Sequence, residues 1–435
     1  MLTENKNRSY HAIVTDKSTM RGHPNRMSFT GTGAGVAFGS LLPDAMRRRS
    51  GSAAKASPRR PVEPRVLFLY WGRQGLSEFT LLLADAARRR PDRHAVFSVS
   101  RQNDRYADFA RLGSLIEPID TFKRNSGALL AAWRIGRLRE QIVARIRRDR
   151  IDTVVSLMPH VWGSLVSPVI QAMGVKFVSV IHDATPHPGD VASSVAAWMG
   201  RNLASSDLIV TLSKHVTRAL ATGGLSAGQS VCTLFHPNLQ FSPSTRPNAP
   251  AVDEPFRVLF LGRILPYKGL DMLIDAVAAL RRDALPIELG VFGEGALGDD
   301  TDRLRGIGAE VENRWFDANE IPAILSRYHA VVLPHMEASQ SGVAALAAGH
   351  GVPVIANPVG GIIEQVVDGR TGVVASAIGA GSLAEAIRRL ARDGDLYRTI
   401  SAALANSSEE RSMKAFLSQL YMCLAELHAA DGIDR

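Results

Sequence analysis

The stretch Arg257-Val258-Leu259-Phe260-Leu261-Gly262-Arg263-Ile264-Leu265-Pro266-Tyr267-Lys268-Gly269 decides how this chain folds. Arg257–Leu261 is an apolar run of buried-strand length. Gly262 ends it and lets the backbone come close to a ligand. The following segment, 269–282, carries helical spacing. A buried strand passing through a short loop into a helix is the opening of a parallel crossover unit. Arg263 and Lys268 stand at the mouth of that loop, above a helix N-terminus. Two fixed cations there would stabilise a diphosphate and the charge that grows on it as it leaves. Taken alone, the same residues also suit an ordinary loop with surface charges.

Moving outward, the alternation repeats. Strands are expected at 287–292, 310–316, 330–333 and 353–356, and helices at 319–328, 341–349, 382–393 and 396–405. Upstream, Pro243, Pro247, Pro250 and Pro255 interrupt residues 242–255, and so many prolines mark a linker. Before it, strands are expected at 65–70, 94–100, 114–118, 153–157, 177–181 and 208–212, with helices at 77–90 and 127–149. The expected fold class is α/β: two doubly wound Rossmann-like domains facing across a cleft. The expected boundaries are 64–245 for the first domain, 255–408 for the second, and 409–435 for a final helix packing back on the first.

Residues 1–63 read as a disordered N-terminal extension, with Met46 as an alternative translation start. The segment 28–42 is apolar but interrupted by glycines, and no strand precedes Gly31, Gly33 and Gly35, so they do not form a dinucleotide loop. Apolar residues make up 46% of the 435 and charged ones 21%, as in a soluble globular protein. No run of 18 apolar residues offers a membrane span. Cys232 and Cys423 lack metal-ligand spacing and are expected to be reduced buried thiols, suiting a cytoplasmic location. The net charge of +9 fits phosphorylated small molecules or anionic lipid. Nucleic acid is not expected, because aromatic residues, at 6%, do not interleave with the basic runs.

Two further loops carry chemistry. In the segment from Val332 to Val343, a strand runs into a Ser-Gly turn that starts a helix. The backbone N–H groups of Ser341, Gly342 and Val343 are expected to face an anion, with Glu337 upstream to accept sugar hydroxyls. In Asn357-Pro358-Val359-Gly360-Gly361-Ile362-Ile363-Glu364, the paired glycines allow a tight turn and Glu364 falls in the first helical turn. His182 and Asp183 follow the strand 177–181 and are expected at the cleft. His182 is the leading catalytic candidate, with Asp183 orienting it or binding acceptor; His160 and His187 rank behind it. No metal site is expected: Asp300-Thr301-Asp302 and Asp393-Gly394-Asp395 read as turns outside the cleft.

These motifs together resemble the retaining group 1 glycosyltransferases, family 4 of the GT-B fold. The resemblance spans about 65–430 and is strongest over 257–374. Gly262-Arg263 with Lys268-Gly269, Gly293-Glu294-Gly295, Glu337 with Ser341-Gly342, Gly351-Val352-Pro353-Val354-Ile355-Ala356, Pro358 with Gly360-Gly361 and Glu364, and Asp368-Gly369 with Thr371-Gly372-Val373 occur in family order. The string Glu337-Ala338-Ser339-Gln340-Ser341-Gly342-Val343 looks like the branch that builds bacterial surface and extracellular polysaccharides.

The resemblance implies that Arg263 and Lys268 bind the donor diphosphate and that Glu337 contacts the donor sugar. Ser341, Gly342 and Val343 would hold phosphate. Gly262 would bind the donor with them, and Gly293, Glu294, Trp315, Phe316 and Asp317 would line the nucleoside. Gly72 and Gly75 would form the small-residue loop where donor and acceptor meet. The family pairs its first glutamate with a second near the ribose, eight residues on; here that position is Ala345. The implied activity is metal- and cofactor-free transfer of a hexosyl residue from a nucleoside-diphosphate sugar to a glycan acceptor. That acceptor would be polyprenyl-diphosphate-linked, presented where the basic helix at 127–149 meets an anionic membrane. A non-catalytic binding subunit and a sugar-nucleotide epimerase of the same fold remain as alternatives.

Overall fold

The computed structural model describes residues 63–122, 133–184, 200–201, 203–224, 228–242, 249–251 and 254–431. The expectations for 1–62, for His187 and for the start of the basic helix lie outside the described residues. Two all-parallel sheets organise the chain. The first contains β1 (Val66–Tyr70), β2 (Ala95–Ser100), β3 (Ile116–Ile119), β4 (Thr153–Ser156), β5 (Lys176–Ile181), β6 (Leu208–Thr211) and β7 (Ser230–Thr233), in the order β3-β2-β1-β4-β5-β6-β7. The second contains β8 (Phe256–Leu261), β9 (Ile287–Phe292), β10 (Glu310–Glu312), β11 (Ala330–Leu333), β12 (Val354–Ala356) and β13 (Gly372–Val374), in the order β10-β9-β8-β11-β12-β13.

β1, β2, β4, β6 and β11 are buried along their whole length, because helices cover both sheet faces and each strand meets apolar neighbours on either side. In each sheet the winding reverses beside the first strand, between β1 and β4 and between β8 and β11. The loops that leave the strands there diverge and open a crevice. Both sheets lie within one body, residues 60–435.

Several elements differ from expectation. β10 stops at Glu312 because the Asn313 side chain turns the chain, accepting from Gly295 N–H at 3.1 Å and donating to Gly295 C=O at 2.8 Å. Residues 314–316 are thereby released as loop. β7 was not anticipated; three of its four residues are exposed, so it lacks the apolar run that marks a buried strand. The basic helix is described over Arg134–Asp149, and Leu138, Ile142 and Ile146 bury its apolar stripe against the first sheet. Trp133, an apolar residue within the span expected for this helix, is 68% exposed.

The cysteines are not free thiols. Cys232 on β7 and Cys423 on the final helix, Met413–Asp431, are joined in a disulfide across 191 residues. That helix packs on helix Ser77–Arg88 of the first lobe, where Phe416, Leu417, Leu420 and Leu424 enter the core. Tyr421 Oη donates to the His94 carbonyl at 3.0 Å, and His428 Nε2 meets Thr153 Oγ1 at 2.7 Å.

The lobes are tied by polar contacts. Glu364 accepts from the N–H groups of Lys214 and His215, both at 2.8 Å, at the start of helix Lys214–Thr222, and Ser213 Oγ takes Val216 N–H. An acid expected to serve its own helix thus caps a helix of the other lobe. Leu239 N–H donates to Ala345 C=O at 3.0 Å, and Ala345 sits in the core cluster of the first lobe, 2% exposed. A carboxylate has no room or partner there, whereas neighbouring Leu346 is half-buried and faces the cleft. Ala345→Glu is therefore expected to destabilise the protein by more than about 3 kcal/mol in urea unfolding, since it buries an unpaired charge. Leu346→Glu should lose distinctly less; equal losses would contradict this placement.

Candidate functional site

A cavity of about 350 Å³ opens at the crevice between the lobes. The second lobe supplies the ends of β8, β9 and β11 and the loop after β10. The first supplies Gly75, Leu76, Glu78 and Phe79 after β1, and His236, Leu239 and Phe241 after β7. The cavity collects many residues singled out in the sequence: Gly75, Gly262, Arg263, Lys268, Gly293, Glu294, Trp315, Phe316, Ser341, Gly342 and Val343.

Its positive end comes from the loop after β8. There Gly262 and Gly293 cross so closely that a Cβ on Gly293 would stand 1.9 Å from the Gly262 carbonyl oxygen. Gly262 also adopts φ +103, which a side chain disfavours. The crossing brings Lys268 Nζ to 3.5 Å from the position a Gly262 Cβ would take, beside Val343. Among the described residues neither Arg263 nor Lys268 has a carboxylate partner. Burial, then the charge of Arg263, pulls the Lys268 ammonium down to about 8. Two uncompensated cations side by side form an anion site.

Helix Gly342–Gly349 faces the same space. Ser341 caps it by accepting from Ala344 N–H at 3.2 Å. The three amides expected to face an anion reduce to two. Ser341 N–H is already committed to Gln365 Oε1 at 2.7 Å, and Gln365 Nε2 returns to Ser341 C=O at 3.0 Å. Gly342 and Val343 carry the first orphan N–H groups of the helix and border the cavity.

At the far end, Arg314 stacks over Phe316 at 3.9 Å and is held by Glu320 at 2.8 Å. Trp315 is 54% exposed beside them. Phe316 is itself buried beneath Arg314, so the open face is that of Trp315, and a flat exposed ring beside an anion site suits a nucleobase. Asp317 is exposed and outside the cavity lining.

Four expected site residues, Glu337, Gly72, His182 and Asp183, lie outside the lining. Glu337 is exposed and outside the lining: the loop from β11 anchors Met336 N–H on Tyr267 C=O at 2.8 Å, turning Ala338 and Gln340 inward and Met336 and Glu337 outward. Gly72 lies beneath the wall, where a Cβ would collide with Met158 Cε at 2.4 Å. His182 is 8% exposed and stands behind two wall residues, edge-on to Phe79 and receiving Gln340 Nε2–H at its Nδ1 at 3.0 Å. Burial depresses its pKa to about 4, Asp183 opposing, so the ring is neutral. Half-buried Asp183 is likewise outside the lining and raises the pKa of His182 and of His236. His160 is half-buried among the rings of Trp71, Phe122 and Trp162. Neither Asp-x-Asp string borders the cavity: Asp300 and Asp302 pair with Arg303 and Arg305, and Asp393 caps Leu396 N–H.

Sequence reading missed His236, Phe241, Tyr267, Arg314 and His335 in the wall. The signal for His236 and Phe241 was weak, because β7 and the segment leaving it lack apolar patterning.

Residues 255–393 match the family described as glycosyl transferases group 1. The glycogen synthase of Mycobacterium tuberculosis is 28% identical over 295 residues, covering 61% of this chain and 68% of its own. A GDP-mannose-dependent alpha-(1-6)-phosphatidylinositol monomannoside mannosyltransferase of Mycolicibacterium smegmatis is 31% identical over 147 residues. That match covers 31% of this chain and 38% of the mannosyltransferase, so the chain spans well under half of that relative. The Anabaena protein HepE, solved in complex with UDP, aligns at a TM-score of 0.63 with 18% identity, covering 83% of this chain and 100% of its own; this is a likeness of fold. The chain is a glycosyltransferase with the two-lobed GT-B architecture.

The depressed Lys268 gives a pH signature. Between about pH 8 and 10.5 the unfolded chain holds a proton that the folded chain has shed, so this group's contribution to stability improves as pH rises through that window. Anion binding runs the other way, because it needs the ammonium. Affinity for a nucleoside diphosphate should fall by up to about tenfold per pH unit above about 8, measured by calorimetry. Lys268→Arg should flatten that profile; a profile unchanged in Lys268→Arg would remove Lys268 from the anion site.

Proposed function

We propose that this enzyme transfers a hexosyl residue, with retention, from a nucleoside-diphosphate sugar to a glycan acceptor, lipid-linked, in surface or exopolysaccharide synthesis. The observation that carries the reading is the convergence of Arg263 and Lys268, without a carboxylate partner among the described residues, with the Gly342 and Val343 amides, beside the open ring of Trp315. Anion site and aromatic platform in one cavity match the two ends of a nucleoside diphosphate.

In the proposed reaction the acceptor hydroxyl attacks the anomeric carbon on the face from which the diphosphate departs. The bond from that carbon to the diphosphate oxygen breaks as the new glycosidic bond forms, and the hydroxyl proton passes to a departing phosphate oxygen. The lining carboxylates support this front-face course: Glu78 is tied to Arg105 at 2.7 Å, and Glu294 is exposed. Neither is poised as a nucleophile. Arg263, Lys268 and the two amides would stabilise charge on the leaving group. Closure of the lobes would exclude water.

The proposed location is the cytoplasmic face of a membrane, where the Cys232–Cys423 bond would form against a reducing poise. No described helix is long and apolar enough to cross a bilayer. Exposed Trp133, with Arg134 5.3 Å from its ring, and exposed Arg137 and Arg147 on the same helix support peripheral contact with anionic lipid.

Thermal-shift screening against UDP-, GDP- and other nucleotide sugars, followed by transfer or hydrolysis assays of any hit, tests the reading. Arg263→Ala and Lys268→Ala should each reduce turnover by roughly 100-fold. Unchanged rates would refute the assignment, and nucleotide binding without turnover would favour a binding subunit. Sedimentation with anionic vesicles should occur at low salt, weaken in Trp133→Ala and vanish at high salt; no binding at low salt counts against the membrane contact.

A further inference from the structure

The Cys232–Cys423 bond lies where the chain leaves the first lobe and where it returns. Cys232 is on β7, the last strand before the second sheet begins at β8, and Cys423 is on helix Met413–Asp431, which follows that sheet. The bond therefore closes a ring of chain that contains all of β8 to β13. Both cysteines pack against the core of the first lobe, so the bond does not span the cleft and leaves the approach of the lobes free. What it holds is the root of the segment that runs from β7 to the cavity.

The two sides of the bond are secured unequally. Helix Met413–Asp431 buries Phe416, Leu417, Leu420 and Leu424, and Tyr421 and His428 hydrogen-bond to the first lobe. β7 ends its sheet with β6 alone beside it, and three of its four residues are exposed. Beyond β7, the His236 carbonyl accepts from the Arg411 guanidinium at 3.2 Å, and Asn238 N–H donates to the Arg411 carbonyl at 2.8 Å. Arg411 leads into the final helix, so the outgoing and returning segments grip each other just past the disulfide. His236, Leu239 and Phe241 of the outgoing segment line the cavity. The bond is also within reach of solvent: Cys232 and Cys423 are half-buried, and their neighbours Val231 and Met422 are 36% and 61% exposed.

We propose that this disulfide is a redox-sensitive latch that fixes the first-lobe wall of the cavity, so that reduction loosens residues 230–241 and weakens ligand binding there. The effect on binding rests on the donor reading above; the loosening does not. A dithiol opens the latch by exchange. One of its thiolates attacks a cysteine sulfur, the bond between the cysteines breaks, and the displaced sulfur leaves as a thiolate that takes a proton. The second thiolate of the dithiol then displaces the other cysteine and closes the reductant's own disulfide, so each cysteine ends as a thiol and the dithiol is oxidised. The helix stays seated by its core contacts. The edge strand, with few buried contacts of its own, is the side that opens locally.

The test compares the full chain oxidised in air, the chain reduced with dithiothreitol, and the variants Cys232→Ser and Cys423→Ser. Alkylation followed by mass spectrometry reports the state of the cysteines. Reduction should speed hydrogen exchange across 230–241 by about tenfold or more and leave 416–424 and the second sheet unchanged. In calorimetry with UDP, GDP and ADP, Kd for the nucleotide that binds should rise about three- to tenfold, as wall side chains must be ordered on binding. Reoxidation should restore both values, and each serine variant should match the reduced protein and ignore dithiothreitol. Two alkylated cysteines in the oxidised protein overturn the latch, as does exchange across 230–241 that reduction leaves unchanged. Faster exchange with an unchanged Kd overturns it too, because the bond would then be only structural, and so does exchange sped equally throughout the first lobe. If the oxidised wild type binds none of these nucleotides, the donor reading fails, and exchange across 236–241 alone decides the latch.

Discussion

Arg263 and Lys268 line one cavity without a carboxylate partner among the described residues, and much of the site is arranged around that imbalance. Like charges this close disfavour each other, and burial of Lys268 adds to the cost, as its depressed pKa shows. The strand–loop–helix unit from β8 through Gly269 must therefore be held by other means. β8 lies in the middle of its sheet, between β9 and β11, and Gly262 and Gly293 cross at van der Waals contact. An anion resolves the imbalance, and the Gly342 and Val343 amides approach from the adjacent switch-point loop.

The second theme is how the lobes hold one another. Glu364 closes the open end of a helix in the opposite lobe, and Leu239 bonds to the backbone of Ala345. Gln340 reaches buried His182 across the cleft. Ala345 adds an apolar contact to these polar ones by entering the core of the first lobe. Helix Met413–Asp431 returns to the first lobe and, through Cys232–Cys423, anchors the strand that leads into His236 and Leu239.

The fold was largely legible because a doubly wound parallel sheet writes itself as repeated apolar runs alternating with amphipathic helices. β8, β9, β11 and the helices 270–282 and 342–349 fell within a residue of expectation, whereas helix Asp300–Gly306 was not expected and the helix expected at 319–328 covers only Ile321–Leu325. The other exceptions share a cause. β7 is an edge strand with exposed side chains, so no apolar run announces it. β10 ends early through one asparagine side chain, an interaction with no periodicity. Trp133 looked like part of an apolar stripe, but the stripe's angular position on the helix leaves it in solvent. Cysteines separated by 191 residues carry no local sign of being neighbours.

The sequence by itself determined the two-lobed class and the positive loop, because each depends on short-range pattern: a strand, a glycine, two cations and a helix start. Tertiary structure alone decided which polar groups meet. It took Glu337 out of the cavity and Ser341 N–H out of the anion site, and moved His182 behind Gln340. It brought in His236 from a segment with no motif and placed Ala345 in the core of the other lobe. The physical reason is that a side chain's direction and partners depend on other elements of the chain, from Gln365 close by to His182 in the opposite lobe, and local pattern carries no record of them.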